Sequence, residues 1–206
     1  MPAVDIVPER GPWMQTCTGH KFFPGDPRPE EVQLQVISHG LAAQRRYGGQ
    51  GHLDKHYSVA EHSVHIARHM FHNGYPPKHA LVGLLHDAAE AYVMDLPVAA
   101  KDAVGDAYRM VERNVQAAIW ARFGLEKVAL AARHDVKLLD KRIVPTEKAA
   151  VLCHPTLHRW VYEELEPLPV TIGFWAPVQA YQRFLGWYQA LTWAYVSPPT
   201  EDNIND

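Results

Sequence analysis

The chain has 206 residues, 47% of them hydrophobic, which is enough to bury one core. Charged residues make up 21% and the formal net charge is −3, so the basic excess of a protein that grips a nucleic-acid polymer is missing, while a small anionic ligand stays compatible. Two cysteines, Cys17 and Cys153, are too few for a disulfide framework or a cysteine metal site; with no signal-like N-terminus and no bilayer-length apolar stretch, a cytoplasmic protein off the membrane is expected.

Residues 1–28 are rich in Pro, Gly and Thr and read as an irregular segment packed on the domain. From Pro29, the residues Val32, Val36, Ile37 and Leu41 fall on one helical stripe, with Glu30 and Glu31 suited to its first turn and Gly48, Gly49 and Gly51 ending it. Ser58, with Glu61 three residues later, predicts a capping box for a helix that carries Val59, Ile66, Met70 and Phe71 and stops near Asn73-Gly74. Pro76 and Pro77 open the next helix, which holds the run ALVGLLHDAAEAY. Residues 102–123 read as one long helix ended by Gly124, and 126–153 as one or two helices with Pro145 as a break or kink. A Pro-rich connection over 154–177, which suits a lid, precedes a last helix at about 178–195, and the tail SPPTEDNIND is expected to be disordered. No internal repeat and no run of alternating strands is present, so the expected fold class is all-α, with a single domain over 29–196 and a tail over 197–206.

Histidine is over-used, with 13 in all and ten of them between His20 and His86. Imidazole titrates near neutrality and binds metals readily, so the excess directs attention to a metal or acid–base site, although most of the 13 are accounted for as solvated helix surface. The strongest single feature is His86-Asp87, directly after the apolar Leu81, Val82, Leu84 and Leu85. Such a pair is costly to bury unless it is paired or holds a metal. For the dipeptide alone, a helix end that reaches solvent is the plain alternative. Glu90 follows at four residues from His86 and three from Asp87, on the same side of a helix, and Asp95-Leu96-Pro97 makes a turn that can aim a second carboxylate back. Four ionisable groups in one such segment are hard to account for by packing. His52/His56 and His65/His69 are i,i+4 pairs, but no HExxH pattern completes either, so each is a weak site.

With His62 in YSVAEHSVHIA, His86-Asp87 in GLLHDAAEAY and Asp140 in HDVKLLDKR, the chain resembles the HD-domain phosphohydrolases. The segment HDAAEAYVMDLPVAAK is similar to the YfbR-type 5′-deoxynucleotidases. The stretches TCTGHKFFPGDPRPEEV, ISHGLAAQRRYGG and YSVAEHS are similar to a phage and bacterial branch of that group that includes a dATP triphosphohydrolase. The resemblance covers roughly residues 13–150.

It implies an HD-domain helical bundle in which His62, His86, Asp87 and Asp140 hold one divalent transition metal. Two nitrogens and two oxygens are a borderline-hard set that suits Co, Mn, Zn, Ni or Fe and does not choose among them. It also implies Glu90 and Asp95 as the catalytic acid–base groups, with their division of labour left open. Arg46 matches a substrate-contacting arginine and is preferred to the adjacent Arg45; its planar fork suits phosphate. Lys101 and His39 are further substrate-binding candidates, with a solvated lysine and a core-edge histidine as the plain alternatives. Thr16, Thr18, Lys21, Phe22 and Trp13 are candidates to meet the base, and His134-Asp135, which also spells HD, reads as helix surface or substrate rim.

The activity implied is metal-dependent hydrolysis of deoxynucleoside 5′-phosphates, as a monophosphate 5′-nucleotidase or a triphosphohydrolase acting, for example, on dATP. The alternatives are an HD hydrolase of another phosphorylated metabolite or signalling nucleotide, and a non-catalytic nucleotide-binding HD domain. The expected partner is a small-molecule deoxynucleotide. Homo-oligomerisation is expected through the aromatic last helix (Trp187, Tyr188, Trp193, Tyr195), whose plain alternative is packing on its own core.

Overall fold

The structure is a computed structural model that describes residues 10–154 and 158–196. The expected disorder of the tail 197–206 lies outside the described residues. The chain is all-α apart from one small hairpin, as the periodicity predicts. The hairpin lies in the N-terminal segment read as irregular, whose described residues are otherwise mainly turns and coil. Strands β1 (Met14–Gln15) and β2 (Lys21–Phe22) pair antiparallel, with Met14 opposite Phe22. Phe22 is fully buried and stacks on Tyr92 at 3.9 Å, so it is a core anchor and does not reach a ligand. Arg10 bridges Asp26 and Glu31, at 2.6 and 2.5 Å, and ties the segment to the domain.

The first helical stripe folds as a 3-10 turn at Pro29–Glu31 followed by α1 (Leu34–Ala43). Helix α2 (Val59–His72) starts at Ser58, whose Oγ accepts from the Glu61 N–H at 3.1 Å. Residues 59–67 of α2 are buried without interruption, as in a helix surrounded by its neighbours. Helices α3 (Pro77–Leu85), α7 (Glu126–Val151) and α8 (Pro177–Val196) pack around it, and Leu84, Leu85, Ile66, Met70 and Phe184 lie fully buried between them. Burying a side chain of this size stabilises the fold by roughly 1.5–3 kcal/mol.

Three boundaries differ from expectation, the first being the end of α1 at Ala43, where Gln44 turns extended four residues before Gly48. Helix α3 ends at Leu85, residues 86–89 form a turn, and α4 (Glu90–Val93) begins after it, so His86-Asp87 sits in the turn rather than on a helix. The expected helix over 102–123 is two, α5 (Val98–Val104) and α6 (Asp106–Phe123). Gly105 between them has φ 82°, a conformation that glycine adopts without a Cβ penalty. Of the one or two helices expected over 126–153, one forms, and α7 continues through Pro145. Beside Pro145 the Arg142 carbonyl accepts from Leu168 N–H at 2.9 Å, so the 158–176 connection is stitched to the turn that proline disturbs. Gly40 of α1 meets Ala91 of α4 so closely that a Cβ on it would stand 2.9 Å from the Ala91 backbone.

Among the aromatics of α8, Trp187 and Tyr188 pack on the core, whereas Trp193 and Tyr195 are exposed. No helix is long and apolar enough to cross a membrane among the described residues.

Candidate metal centre

Side chains from three separate elements meet where α2, the 86–89 turn and α7 converge. His62 comes from the middle of α2 and is fully buried. His86 and Asp87 come from the turn, and Asp140 from α7. The Nε2 atoms of the two histidines lie 3.4 Å apart. Asp87 Oδ2 is 3.2 Å from His86 Nε2 and 3.6 Å from His62 Nε2; Asp140 Oδ1 is 3.3 Å from His62 Nε2 and 4.0 Å from His86 Nε2. Ligands about 2.0–2.1 Å from one cation stand roughly 3–4 Å from each other, which is the spread of His62, His86 and Asp87 and of Asp140 from the two imidazoles.

The outward nitrogens of both imidazoles are engaged. His62 Nδ1 donates to Glu147 Oε1 at 2.6 Å, and His86 Nδ1 donates to the Gly83 carbonyl at 2.8 Å. With hydrogen held on Nδ1, each ring turns the lone pair of Nε2 toward the centre, the tautomer a metal needs. The cluster is also rich in negative charge. Burial favours a neutral His86, but Asp87 and Asp140 outweigh it and lift its pKa to about 9. Burial pushes Asp87 up, while His86, His62 and Arg46 together hold it well below the usual carboxylate range. A centre that draws protons onto its imidazoles fits a divalent cation in their place, so the donor set fits the expected metal. His62, His86 and Asp87 form the tightest group, and Asp140, 39% exposed, closes its open side.

Glu147 is the residue the sequence reading missed. It is fully buried on α7, seven residues and two turns after Asp140, hence on the same face. Besides His62 it accepts from Tyr57 Oη at 2.6 Å and from Tyr47 Oη, and Arg46 Nη2 donates to it at 3.3 Å. Burial raises the Glu147 carboxyl; Arg46 and His62 outweigh that and keep it ionised. The heptad spacing from Asp140 was a legible sign; its partners were not.

Two glutamines, also missed, hold the acidic turn in place. Residues 86–92 close with i→i+3 bonds (Ala88 to Leu85, Glu90 to Asp87, Tyr92 to Ala89). That pattern leaves Ala89 N–H without a helical acceptor, and Gln116 Oε1 takes it at 3.0 Å while Gln116 Nε2 donates to the Leu85 carbonyl. On the other side Gln44 Nε2 donates to the Glu90 carbonyl at 2.8 Å, and its Oε1 accepts from Asp95 N–H at 2.9 Å.

Glu90 is buried beside the cluster. Its Oε1 is 3.1 Å from Lys101 Nζ and its Oε2 has no hydrogen-bond partner. Burial, with Asp87 and Asp95 nearby, lifts its pKa well above the usual value against Lys101 and Arg46. Asp95 is raised as well, by burial and Asp87 against Arg46. Of the expected substrate cations, Arg46 is nearly buried and lies between Glu147 and Asp87, with Nη1 3.7 Å from Asp87 Oδ2. Arg45 turns away to the carbonyls of His52 and Lys55. Lys101 is held between Glu90 and Glu112, at 3.1 and 2.7 Å. His39 is exposed on α1, and no contact among the described residues joins it to the cluster.

The capping box at Ser58 is made only in part. Glu61 does not reach back; its carboxylate accepts three backbone N–H groups of the connection, from Gly173 (2.6 Å), Phe174 (3.0 Å) and Trp175 (2.9 Å). The connection is thereby bolted to the residue next to His62. Ile172 and Phe174 pack against Tyr57 and Val151, over the back of the Glu147 network.

No family model matches the chain. It is similar to the uncharacterized protein RCAP_rcc00048 of Rhodobacter capsulatus, with 35% identity over 132 residues that cover 62% of this chain and 67% of that protein. It is also similar to the uncharacterized protein YfdR of Escherichia coli K12, with 29% identity over 136 residues that cover 66% of this chain and 70% of that protein.

Proposed function

We propose that this chain, which belongs to the family of the uncharacterized protein RCAP_rcc00048 of Rhodobacter capsulatus, is a metal-dependent HD-domain phosphohydrolase acting on deoxynucleoside 5′-phosphates. The reading rests on one observation above the others. Two imidazole nitrogens 3.4 Å apart each stand 3.2–4.0 Å from an oxygen of Asp87 and of Asp140, with both outward imidazole nitrogens held by acceptors. A cation bound by His62, His86, Asp87 and Asp140 supplies Lewis acidity to a phosphate oxygen and to water. The deoxynucleotide class comes from the likeness of residues 86–101 to the YfbR-type enzymes.

The chain's own groups divide the remaining work. Glu90 presents a buried carboxyl oxygen with no other partner, the position for orienting water. Asp95 stands beside it as a second acid–base group, fixed through its backbone by Gln44. Arg46 adds positive charge next to Asp87, where a phosphate would sit. In the reaction one water adds to phosphorus, the bond to the leaving oxygen breaks, and the proton lost by water passes to the carboxyl groups or to solvent.

The unpaired Cys17 and Cys153, both exposed, support a reducing, cytoplasmic setting. The exposed Trp193 and Tyr195 support self-association, which light scattering of wild type against a Trp193→Ser variant measures.

The direct test combines metal analysis of the purified protein with turnover of matched ribo- and deoxynucleoside mono- and triphosphates under several divalent metals. Stoichiometric metal and a preference for the deoxy forms are expected. Protein that binds no divalent cation, or that turns over ribose forms equally, overturns the reading.

A further inference from the structure

A cavity of about 560 Å³ opens between α3, α6 and α7, and His86 and Asp140 form part of its lining. It is therefore continuous with the ligand cluster. One wall is apolar and aromatic, with Val82, Trp120 and Leu130; the other carries Arg133 and Lys137 of α7. These two cations differ from those expected to meet phosphate. Arg46 and Lys101 are shared with carboxylates, Arg46 with Glu147 and Lys101 with Glu90 and Glu112. Arg133 and Lys137 are exposed and have no ion-pair partner among the described residues.

Their spacing sets a length scale. Lys137 and Arg133 lie three and seven residues before Asp140 on an unbroken helix. At about 1.5 Å per residue they stand roughly 4.5 and 10.5 Å along the axis from the ligand. One phosphate at the cluster does not span that distance, whereas a chain of phosphates runs alongside both. The carboxylate of Glu126 also lines the cavity, two further turns beyond Arg133, and makes the far end unfavourable for an anion.

We propose that this cleft takes a nucleoside carrying more than one phosphate, with Lys137 and Arg133 engaging the phosphates beyond the one at the ligand cluster and the base lying against Trp120. This rests on the phosphohydrolase reading above and selects the triphosphate within it. The cations are supplied by the helix that also supplies ligand Asp140, so the phosphate chain is measured from the metal centre itself.

The test is the doubly substituted Arg133→Ala/Lys137→Ala protein, altered only at exposed positions. Two readouts are compared with wild type. In steady-state kinetics, KM for deoxynucleoside triphosphates is expected to rise at least tenfold, with kcat/KM for the monophosphates within about twofold. In calorimetry on the metal-loaded protein, the affinity for inorganic tripolyphosphate is expected to fall at least tenfold, and that for orthophosphate to stay unchanged. Equal losses for mono- and triphosphates, or no loss for triphosphates, overturn the proposal while leaving the phosphohydrolase reading standing. If no nucleotide is hydrolysed but tripolyphosphate binding still depends on the two residues, the hydrolase reading fails and the polyphosphate site remains. Unchanged tripolyphosphate affinity overturns it whatever the kinetics.

Discussion

His62 and Glu147 form a buried pair in which the imidazole Nδ1 donates to the carboxylate at 2.6 Å, and the same carboxylate takes Tyr57, Tyr47 and Arg46. The pair fixes the ring so that Nε2 faces Asp140 and His86. A Glu147→Gln variant keeps the volume but removes the charge. Its metal affinity is expected to fall about 10- to 100-fold, as for other outer partners of ligating histidines. It also leaves Arg46 buried without its carboxylate, which costs about 3–5 kcal/mol. Metal titration and thermal melts check the two effects, and an unchanged metal affinity would remove Glu147 from the site.

Gln116 contributes no ligand atom, yet it holds the turn that does. Gln116→Ala leaves Ala89 N–H without an acceptor, at about 1–3 kcal/mol. A fall in Tm of several degrees is expected, together with weaker metal binding. A variant that melts earlier but binds metal as wild type does would show that the turn keeps its shape alone.

Glu90 and Asp87 should separate chemistry from metal binding. Asp87→Ala is expected to lose both the cation and turnover. Glu90→Ala is expected to keep the cation and lose turnover by about 100-fold or more, the usual worth of a positioned acid–base group. Metal content measured beside kcat distinguishes them, and full turnover in Glu90→Ala sinks its proposed role.

Glu90 also has a pH signature in chelator-treated protein. Its folded pKa is raised, so between its ordinary value and that raised value the folded state binds the extra proton. Stability therefore falls as pH rises through this window. Glu90→Gln stays neutral and should lack that component, with a Tm gain over wild type that appears at neutral pH and vanishes near pH 4. A Tm difference independent of pH would contradict the assignment.

Glu61 ties the connection to the residue next to His62. Glu61→Gln keeps shape but turns an amide donor toward backbone N–H groups, at a cost of about 2 kcal/mol or more. Faster proteolysis within residues 158–176 is expected before any change in the rest of the fold. Unaltered cleavage would mean that Ile172 and the aromatic contacts of Phe174 and Trp175 hold the connection by themselves.

The helices, several of their ends and the His86-Asp87 pair were legible in the chain itself. Helical periodicity, Ser58, Pro77 and Gly124 are local signals, whereas His62 and Asp140 were singled out through the resemblance to the HD-domain phosphohydrolases. The breaks at Leu85 and Gly105 were harder to see. In the turn over 86–89 the N–H freed at Ala89 is taken by Gln116, 27 residues away.

Side-chain partnerships were decided by the tertiary structure alone. The role of Glu147 comes from the fold, which places Tyr47, Tyr57, Arg46 and His62 around it. Lys101 and Arg46, read as substrate contacts, are met by carboxylates from other elements, and Arg133 and Lys137 gain a cavity beside them because α6 walls it. Helical pattern and residue type are written in nearest-neighbour spacing along the chain. Whether a charge is neutralised, buried or left facing a cleft depends on which remote segment lands against it, and that follows from packing the whole core.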